Sequence, residues 1–122
     1  MAQEFLARTS KKMTEPKKYK LNNDVTPSML IKAGFDQSGD GFVIDRVLYM
    51  YDNGGRLPYI TLRLYYSNGK LTQTLICESG ETYIPFYNPE LRHNNRVYET
   101  VVNKYNRIMD YFVRLKILDE VT

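Results

Sequence analysis

Residues 42–118 contain four short runs typical of β-strands, followed by one long run typical of an amphipathic helix. The strand-like runs are rich in β-branched and aromatic side chains and are separated by short polar segments that each contain glycine. They cover residues 42–51, 57–66, 71–78 and 82–87. The pattern predicts an α+β fold, a four-stranded antiparallel meander with a short N-terminal helix and a long C-terminal amphipathic helix packed on one sheet face.

The short N-terminal helix is predicted from its end signals. Thr26 is a good N-cap, and Pro27 stands at the first helical position, where its missing N–H costs nothing. Gly34 stands where a left-handed residue commonly ends a helix. These signals predict a helix over residues 27–33, with Phe35 packing back on it.

The long C-terminal helix is predicted from the spacing of its apolar residues. From Val97 to Leu115 they recur at i, i+3, i+4 and i+7, with polar residues on the other side. This spacing predicts a helix over about residues 96–117, which at about 1.5 Å per residue is long enough to cross a sheet face.

Two further local signals concern the strands. Asn68 and Gly69 tolerate positive φ angles, which predicts a type I′ hairpin between the second and third runs. Pro85 has no N–H to give to a ladder, so the run over residues 82–87 is expected at a sheet edge or is expected to end early.

Residues 36–41 have the composition of a solvated loop. The segment begins like a calcium-binding EF-hand loop and has Gly41 at the sixth position. The twelfth position, which requires a bidentate glutamate, is Val47. We therefore predict a loop without a metal site.

Positive charge is concentrated at the N-terminus. Residues 1–20 hold six basic and two acidic side chains, a net charge of +4, whereas the remainder of the chain carries −1. Few large apolar side chains in this segment can compensate the entropy of ordering it. The chain is therefore expected to divide into a flexible basic tail, residues 1–18, and a single α+β domain, residues 19–122.

The chain is expected to be a soluble, cytoplasmic protein. Its single cysteine, Cys77, cannot form a disulfide within the chain, which fits a reducing compartment. The sequence contains no apolar run of the roughly 18–20 residues that a membrane span needs, and no apolar signal-peptide core. No membrane partner is expected.

No catalytic, cofactor-binding or metal-binding residues are predicted. His93 is the only histidine and lies in a polar segment, and Cys77 lies in a predicted strand, so a Cys–His dyad is disfavoured against an inert apolar cysteine. A zinc site needs about four such ligands. The expectation is a protein that is not an enzyme.

The candidate binding site is the sheet face that the long helix leaves uncovered. Because side chains alternate across a strand, Tyr59, Arg63 and Tyr65 are expected on that face. The neighbouring strand is expected to contribute Val43, Asp45, Val47, Tyr49 and Tyr51.

Three interpretations of this face remain open. Tyrosine and arginine are preferred at the centres of protein interfaces. The same residues can stack on unpaired bases and contact phosphate, assisted by the tail lysines, which gives the alternative of single-stranded nucleic-acid binding. Tyrosine is also an ordinary residue for an outward strand position.

The chain resembles small uncharacterised accessory proteins of phages and prophages of Gram-positive bacteria. The resemblance lies in residues 18–35 (KYKLNNDVTPSMLIKAGF), in the tyrosine-rich meander and in the final helix, which ends with KILDEV at residues 116–121. The resemblance implies a non-enzymatic protein that binds a host or viral macromolecule, in some cases to inhibit a defence system. The expected partner is another protein, either a second copy in a homodimer or a host or viral protein, with nucleic acid as the alternative.

Overall fold

The structure is a computed structural model that describes residues 14–50, 59–92 and 96–121. Within them the chain forms six β-strands and two α-helices. In chain order these are β1 (Lys18–Leu21), α1 (Pro27–Lys32), β2 (Asp36–Ser38), β3 (Gly41–Met50), β4 (Tyr59–Ser67), β5 (Lys70–Cys77), α2 (Arg96–Arg114) and β6 (Leu118–Val121). Two 3₁₀ turns, Ile84–Phe86 and Pro89–Leu91, lie between β5 and α2.

The main sheet has four antiparallel strands in the order β2-β3-β4-β5, so each strand pairs with its neighbour in the chain. Helix α2 packs on one face of this sheet, and α1 contributes Leu30 to the same core. The predicted α+β fold, a meander covered on one face by the C-terminal amphipathic helix, is confirmed.

The fourth strand of the meander differs from the prediction. Residues 82–87 form an isolated bridge from Thr82 to Ile76 and then the 3₁₀ turn that contains Pro85. After Tyr83 N donates to Leu75 O at 2.8 Å, the chain turns away from the edge of β5. The expectation that this run ends early is confirmed, and the prediction of a strand over all of residues 82–87 was wrong.

The fourth strand is instead β2, within the segment predicted as a solvated loop. Asp36 pairs with Val43 and Ser38 with Gly41, which makes a tight hairpin. Gly39, at φ +58°, supplies the left-handed residue of the turn. All three β2 residues are exposed, so the prediction of a solvated segment is confirmed. The prediction of a loop was wrong, because the backbone of residues 36–38 forms a strand.

Helix α1 begins at the predicted residue, ends one residue before the predicted boundary and has the predicted capping residues. The Thr26 side chain accepts a hydrogen bond from Met29 N at 3.2 Å. Gly34 has φ +107°, and Phe35 N donates to Leu30 O at 3.0 Å, which closes a Schellman motif. Phe35 is buried beside the helix, as expected.

The hairpin between β4 and β5 is also confirmed. Asn68 has φ 53° and Gly69 has φ 76°, the two positive angles that a type I′ turn requires. Its twist matches the flanking strands, which fixes Ser67 opposite Lys70.

Helix α2 ends three residues before the predicted boundary. Lys116 adopts φ 68°, its N–H donates to Val113 O, and Ile117 N donates to Phe112 O. This is a second Schellman motif, and it turns the chain into β6. Strand β6 pairs antiparallel with β1 in a separate two-stranded ribbon.

The core lies between the sheet and α2. It includes alternate residues of the central strands together with Leu30, Phe35 and the buried stripe of α2. That stripe consists of Tyr98, Val101, Val102, Tyr105, Met109 and Phe112. In the described parts of the chain, neither helix has the length and apolarity that crossing a membrane requires.

Candidate functional site

The strand register separates the two faces of the main sheet. Residues that lie opposite each other in an antiparallel pair point to the same face. Ile44 lies opposite Leu64, and both are buried in the core. Asp45 lies opposite Arg63 on the other face, where both side chains are exposed. We call this second surface the open sheet face, and it consists of Asp36, Val43, Asp45, Val47, Met50, Tyr59, Thr61, Arg63, Tyr65, Thr72, Thr74 and Ile76.

A bidentate ion pair lies at the centre of the open sheet face. Arg63 Nε lies 2.8 Å from Asp45 Oδ1, and Arg63 Nη2 lies 2.9 Å from Asp45 Oδ2. The hydrogen bond and the charge of Asp45 raise the pKa of Arg63 above its ordinary value, against a small opposing effect of burial. The pair fixes the plane of the guanidinium and neutralises its charge.

Tyr59 and Arg63 lie on the open sheet face as predicted, since Tyr59 is 38% exposed and Arg63 is also exposed. Tyr65 lies there too but is half-buried. The structure therefore places these three predicted residues of β4 on one surface.

Tyr49 is not on this surface, because β3 contains a β-bulge. The register passes from Val47 opposite Thr61 to Tyr49 opposite Ile60, which leaves Leu48 as the extra residue. Tyr49 therefore shares the face of Ile60 and packs against the core. The prediction for Tyr49 was wrong.

Met50 replaces Tyr49 on the open sheet face. It lies opposite Tyr59 and is 54% exposed. The bulge shifts the alternation by one residue, so a strict period of two could not identify it. Tyr51, the other tyrosine predicted from β3, lies outside the described residues.

The Tyr65 side chain occupies space that is free because Gly41 has no side chain. A Cβ built on Gly41 would lie 2.7 Å from Tyr65 Oη and would also collide with the Tyr66 carbonyl oxygen. The phenol thus lies over the bare backbone of β3 at the end of the open sheet face. Glycine at position 41 thus allows the Tyr65 ring to approach the backbone closely.

Replacing Gly41 by Ala should lower the free energy of unfolding by about 1–3 kcal/mol, because the added methyl group overlaps backbone and ring atoms. Urea denaturation measures this loss. Ser38→Ala is the matched control, since Ser38 pairs with Gly41 but is exposed, and it should stay within about 0.5 kcal/mol of the parent. Equal stability of the two variants would contradict the packing of Tyr65.

Cys77 is half-buried at the end of β5. Burial, and next the charge of Glu81, raise the pKa of its thiol, which reduces the thiolate fraction that a nucleophile needs. His93, the other member of the dyad considered from the sequence, lies outside the described residues. Among the residues that the structure does describe, no group of three or more His, Cys, Asp or Glu side chains is placed to hold a metal ion.

Residues 14–18, assigned from the sequence to a flexible tail, run along α2. Thr14 N donates to Glu99 Oε2 at 3.1 Å, and Lys17 N donates to Asn106 Oδ1 at 2.9 Å. Lys17 Nζ also lies 3.2 Å from Asp110 Oδ2. One of the lysines expected to contact phosphate is therefore paired with a carboxylate.

Comparisons with known proteins show a likeness of fold. No protein-family model matches the chain. No curated protein matches it either. Among solved structures, the chain is similar to the crystal structure of a DUF1831 family protein from Lactobacillus plantarum, with a TM-score of 0.68 and 19% sequence identity. The match covers 91% of this chain and 93% of that one, so the two share a fold over nearly their whole lengths.

Proposed function

We propose that this chain is a non-catalytic cytoplasmic protein that binds another protein through its open sheet face. The observation that carries the proposal is the exposed apolar surface of that face. Val47 is 37% exposed, Met50 54% and Tyr59 38%. Neighbouring apolar side chains on a surface commonly mark an interaction site.

The ion pair within the face supports a protein partner. Arg63 is already held in one orientation by Asp45, so less side-chain entropy is lost when a partner covers it. An oriented arginine beside a tyrosine and a methionine is a composition found at the centres of protein interfaces.

The same ion pair weakens the alternative of single-stranded nucleic-acid binding. Asp45 cancels the charge of Arg63, and Asp36, opposite Val43, adds a further carboxylate at the edge of the face. Binding driven by phosphate requires unpaired positive charge. We therefore favour the protein partner, and nucleic-acid binding becomes an outcome of the test.

The finer form of the proposal concerns the class of partner. The resemblance of residues 18–35 to phage accessory proteins supports a host or viral protein, with modulation of a host defence as the biological role. A second copy of this chain is the other candidate, since an isologous contact would pair two apolar faces.

A photo-crosslinking amino acid at position 59 tests the proposal. We expect p-benzoylphenylalanine in place of Tyr59 to give a discrete protein adduct in lysate of the source organism. The matched control carries the same amino acid in place of Tyr111, a tyrosine of α2 that is 46% exposed. It should give no adduct of that size, and equal adducts at both positions would contradict a specific site.

Two further measurements separate the partners. Light scattering identifies a homodimer, which should dissociate when Met50 is replaced by Glu, because a charge then has to be buried in the interface. Fluorescence anisotropy with a labelled oligonucleotide tests the alternative. Binding with a log–log salt slope of about −0.7 per phosphate, reduced by Arg63→Gln, would replace our proposal with nucleic-acid binding.

A further inference from the structure

A cavity lies away from the open sheet face, on the side where the N-terminal segment crosses α2. Its volume is about 470 Å³. Residues 15–21 form one wall, and Leu71 of β5, Phe86 of the first 3₁₀ turn and Tyr105 and Met109 of α2 form an apolar floor. Small-molecule sites are typically cavities of this kind, apolar with a few fixed polar groups.

Arg92 is one of the polar groups of this cavity. Its side chain is only 7% exposed. Nε donates to the Pro85 carbonyl at 2.6 Å, Nη2 donates to the Phe86 carbonyl, and Cζ lies 4.7 Å from the centroid of the Tyr98 ring. The guanidinium is therefore fixed in place by backbone carbonyls and an aromatic ring, none of which neutralises its charge.

In the described residues, the charge of Arg92 is balanced by one exposed carboxylate. Within the described chain, the only carboxylate in ion-pair distance of Arg92 is Glu15, whose Oε1 lies 2.7 Å from Nη1. The Glu15 side chain is 63% exposed. Because the Glu15 carboxylate remains largely in solvent, it regains full hydration easily when it leaves Arg92, so another carboxylate can replace it.

Gln73 is the second polar group. It lies on the core side of β5 opposite Leu64, and it lines the cavity. Its Oε1 is shielded from solvent and has no hydrogen-bond partner. A buried acceptor left unpaired is unfavourable, and a ligand that donates a hydrogen bond to it removes this cost.

From these features we infer that the cavity binds a small carboxylate with an apolar body and a hydrogen-bond donor. The ligand carboxylate takes the place of Glu15 on Arg92. The apolar body lies against Phe86, Tyr105 and Met109, and the donor reaches Gln73. Lys18 and Lys20 on the wall of the cavity add positive charge that favours an anion. This site does not depend on the open sheet face.

N-acetyl-phenylalanine has these three features and serves as the probe, with its neutral primary amide as the matched ligand. Titrations followed by NMR should give saturable shifts at the Met109 methyl group, the Gln73 side-chain amide and Arg92 Nε–H. The acid should bind about tenfold more tightly than the amide, since a hydrogen bond to a charged group contributes more than a neutral one. Equal affinities, or no saturable shift at these residues, would overturn the inference.

Glu15→Gln separates a carboxylate site from a merely apolar cavity. Removing the competing carboxylate should tighten binding of the acid about two- to fivefold and leave the amide unchanged. Glu90→Gln is the control, because Glu90 is exposed, lies close to Arg92 in the chain and does not line the cavity. Unchanged binding of the acid to Glu15→Gln would show that it does not occupy the position of Glu15.

The same carboxylate chemistry can come from a free acid or from the end of a polypeptide. N-acetyl-Gly-Gly-Phe distinguishes the two sources. Binding as tight as that of N-acetyl-phenylalanine identifies a chain terminus as the ligand, and exclusion of the tripeptide identifies a free acid.

Discussion

Replacing Phe112 by Ala should lower the free energy of unfolding by about 3–5 kcal/mol. Phe112 belongs to the buried stripe of α2 and is 1% exposed, with its ring centroid 5.7 Å from that of Phe35. Truncation removes the ring from the contact between α2 and the Schellman motif of α1 and leaves a cavity in the core. Urea denaturation, followed by circular dichroism, measures the loss.

Tyr105→Ala should give a loss of similar size. Tyr105 is buried and makes edge contacts with Phe86 at 4.8 Å and with Tyr19 at 6.2 Å between ring centroids. The control is Tyr111→Ala on the exposed side of the same helix, which should cost about 1 kcal/mol or less. If both core variants were as stable as this control, the placement of α2 on the sheet would be wrong.

Helix α1 could be predicted in detail because its signals are local. Thr26, Pro27 and Gly34 act on their own or adjacent backbone groups, so no information about the rest of the fold is needed. The same is true of Asn68 and Gly69, whose positive φ angles fix the hairpin.

Strand β2 could not be predicted because its residues carry no hydrophobic pattern. Asp36, Gln37 and Ser38 are all exposed, and they form a strand because β3 offers an edge. The run over residues 82–87 shows the reverse. Its side chains are typical of a strand, yet Pro85 prevents ladder pairing and the backbone forms a 3₁₀ turn.

The end of α2 depends on contacts that are distant in sequence. Lys116 takes a left-handed conformation that a sequence reading assigns to glycine or asparagine. The chain that follows pairs with β1, where Lys18 lies opposite Val121. The pairing of β1 with β6 exists only in the folded chain. The apolar spacing of the helix therefore did not indicate where α2 ends.

The open sheet face was predictable only where the alternation of β3 and β4 is regular. Arg63 and Tyr59 follow the period of two on a regular strand. In β3 the bulge at Leu48 places Met50, and not Tyr49, on the open sheet face. Arg92 and Gln73 gave no signal in the sequence, because their importance lies in burial and in the absence of partners, which depend on the tertiary structure.

Stability should fall steeply above about pH 10, because buried tyrosines resist ionisation in the folded state. Burial, with a smaller contribution from the Glu15 and Glu99 charges and against the opposing charge of Arg92, raises the pKa of Tyr98 from 10.0 to about 12. Burial is also the main reason that the pKa of Tyr105 is raised, and for Tyr19 burial acts together with the hydrogen bond to Asp110.

The direction of the effect follows from proton counting. Below pH 10 each of these phenols is protonated in both states and stability is unaffected. Between pH 10 and about 12 the unfolded chain has lost the Tyr98 proton while the folded chain retains it, so unfolding becomes more favourable as pH rises. Each such tyrosine contributes a slope of about 1.4 kcal/mol per pH unit, and three together give about 4 kcal/mol per pH unit.

Tyr98→Phe isolates one of these contributions. Tyr98 Oη is buried and has no hydrogen-bond partner, so its removal should leave stability at pH 7 unchanged or raised by about 1 kcal/mol. Above pH 10 the slope should become shallower by about 1.4 kcal/mol per pH unit. Tyr87→Phe is the control at pH 7, because Tyr87 Oη accepts a hydrogen bond from Leu75 N at 3.1 Å and its loss should cost about 1 kcal/mol. Urea denaturation at half-unit steps from pH 7 to pH 11.5 measures both effects, and an unchanged alkaline slope in Tyr98→Phe would contradict the burial of a protonated phenol at that position.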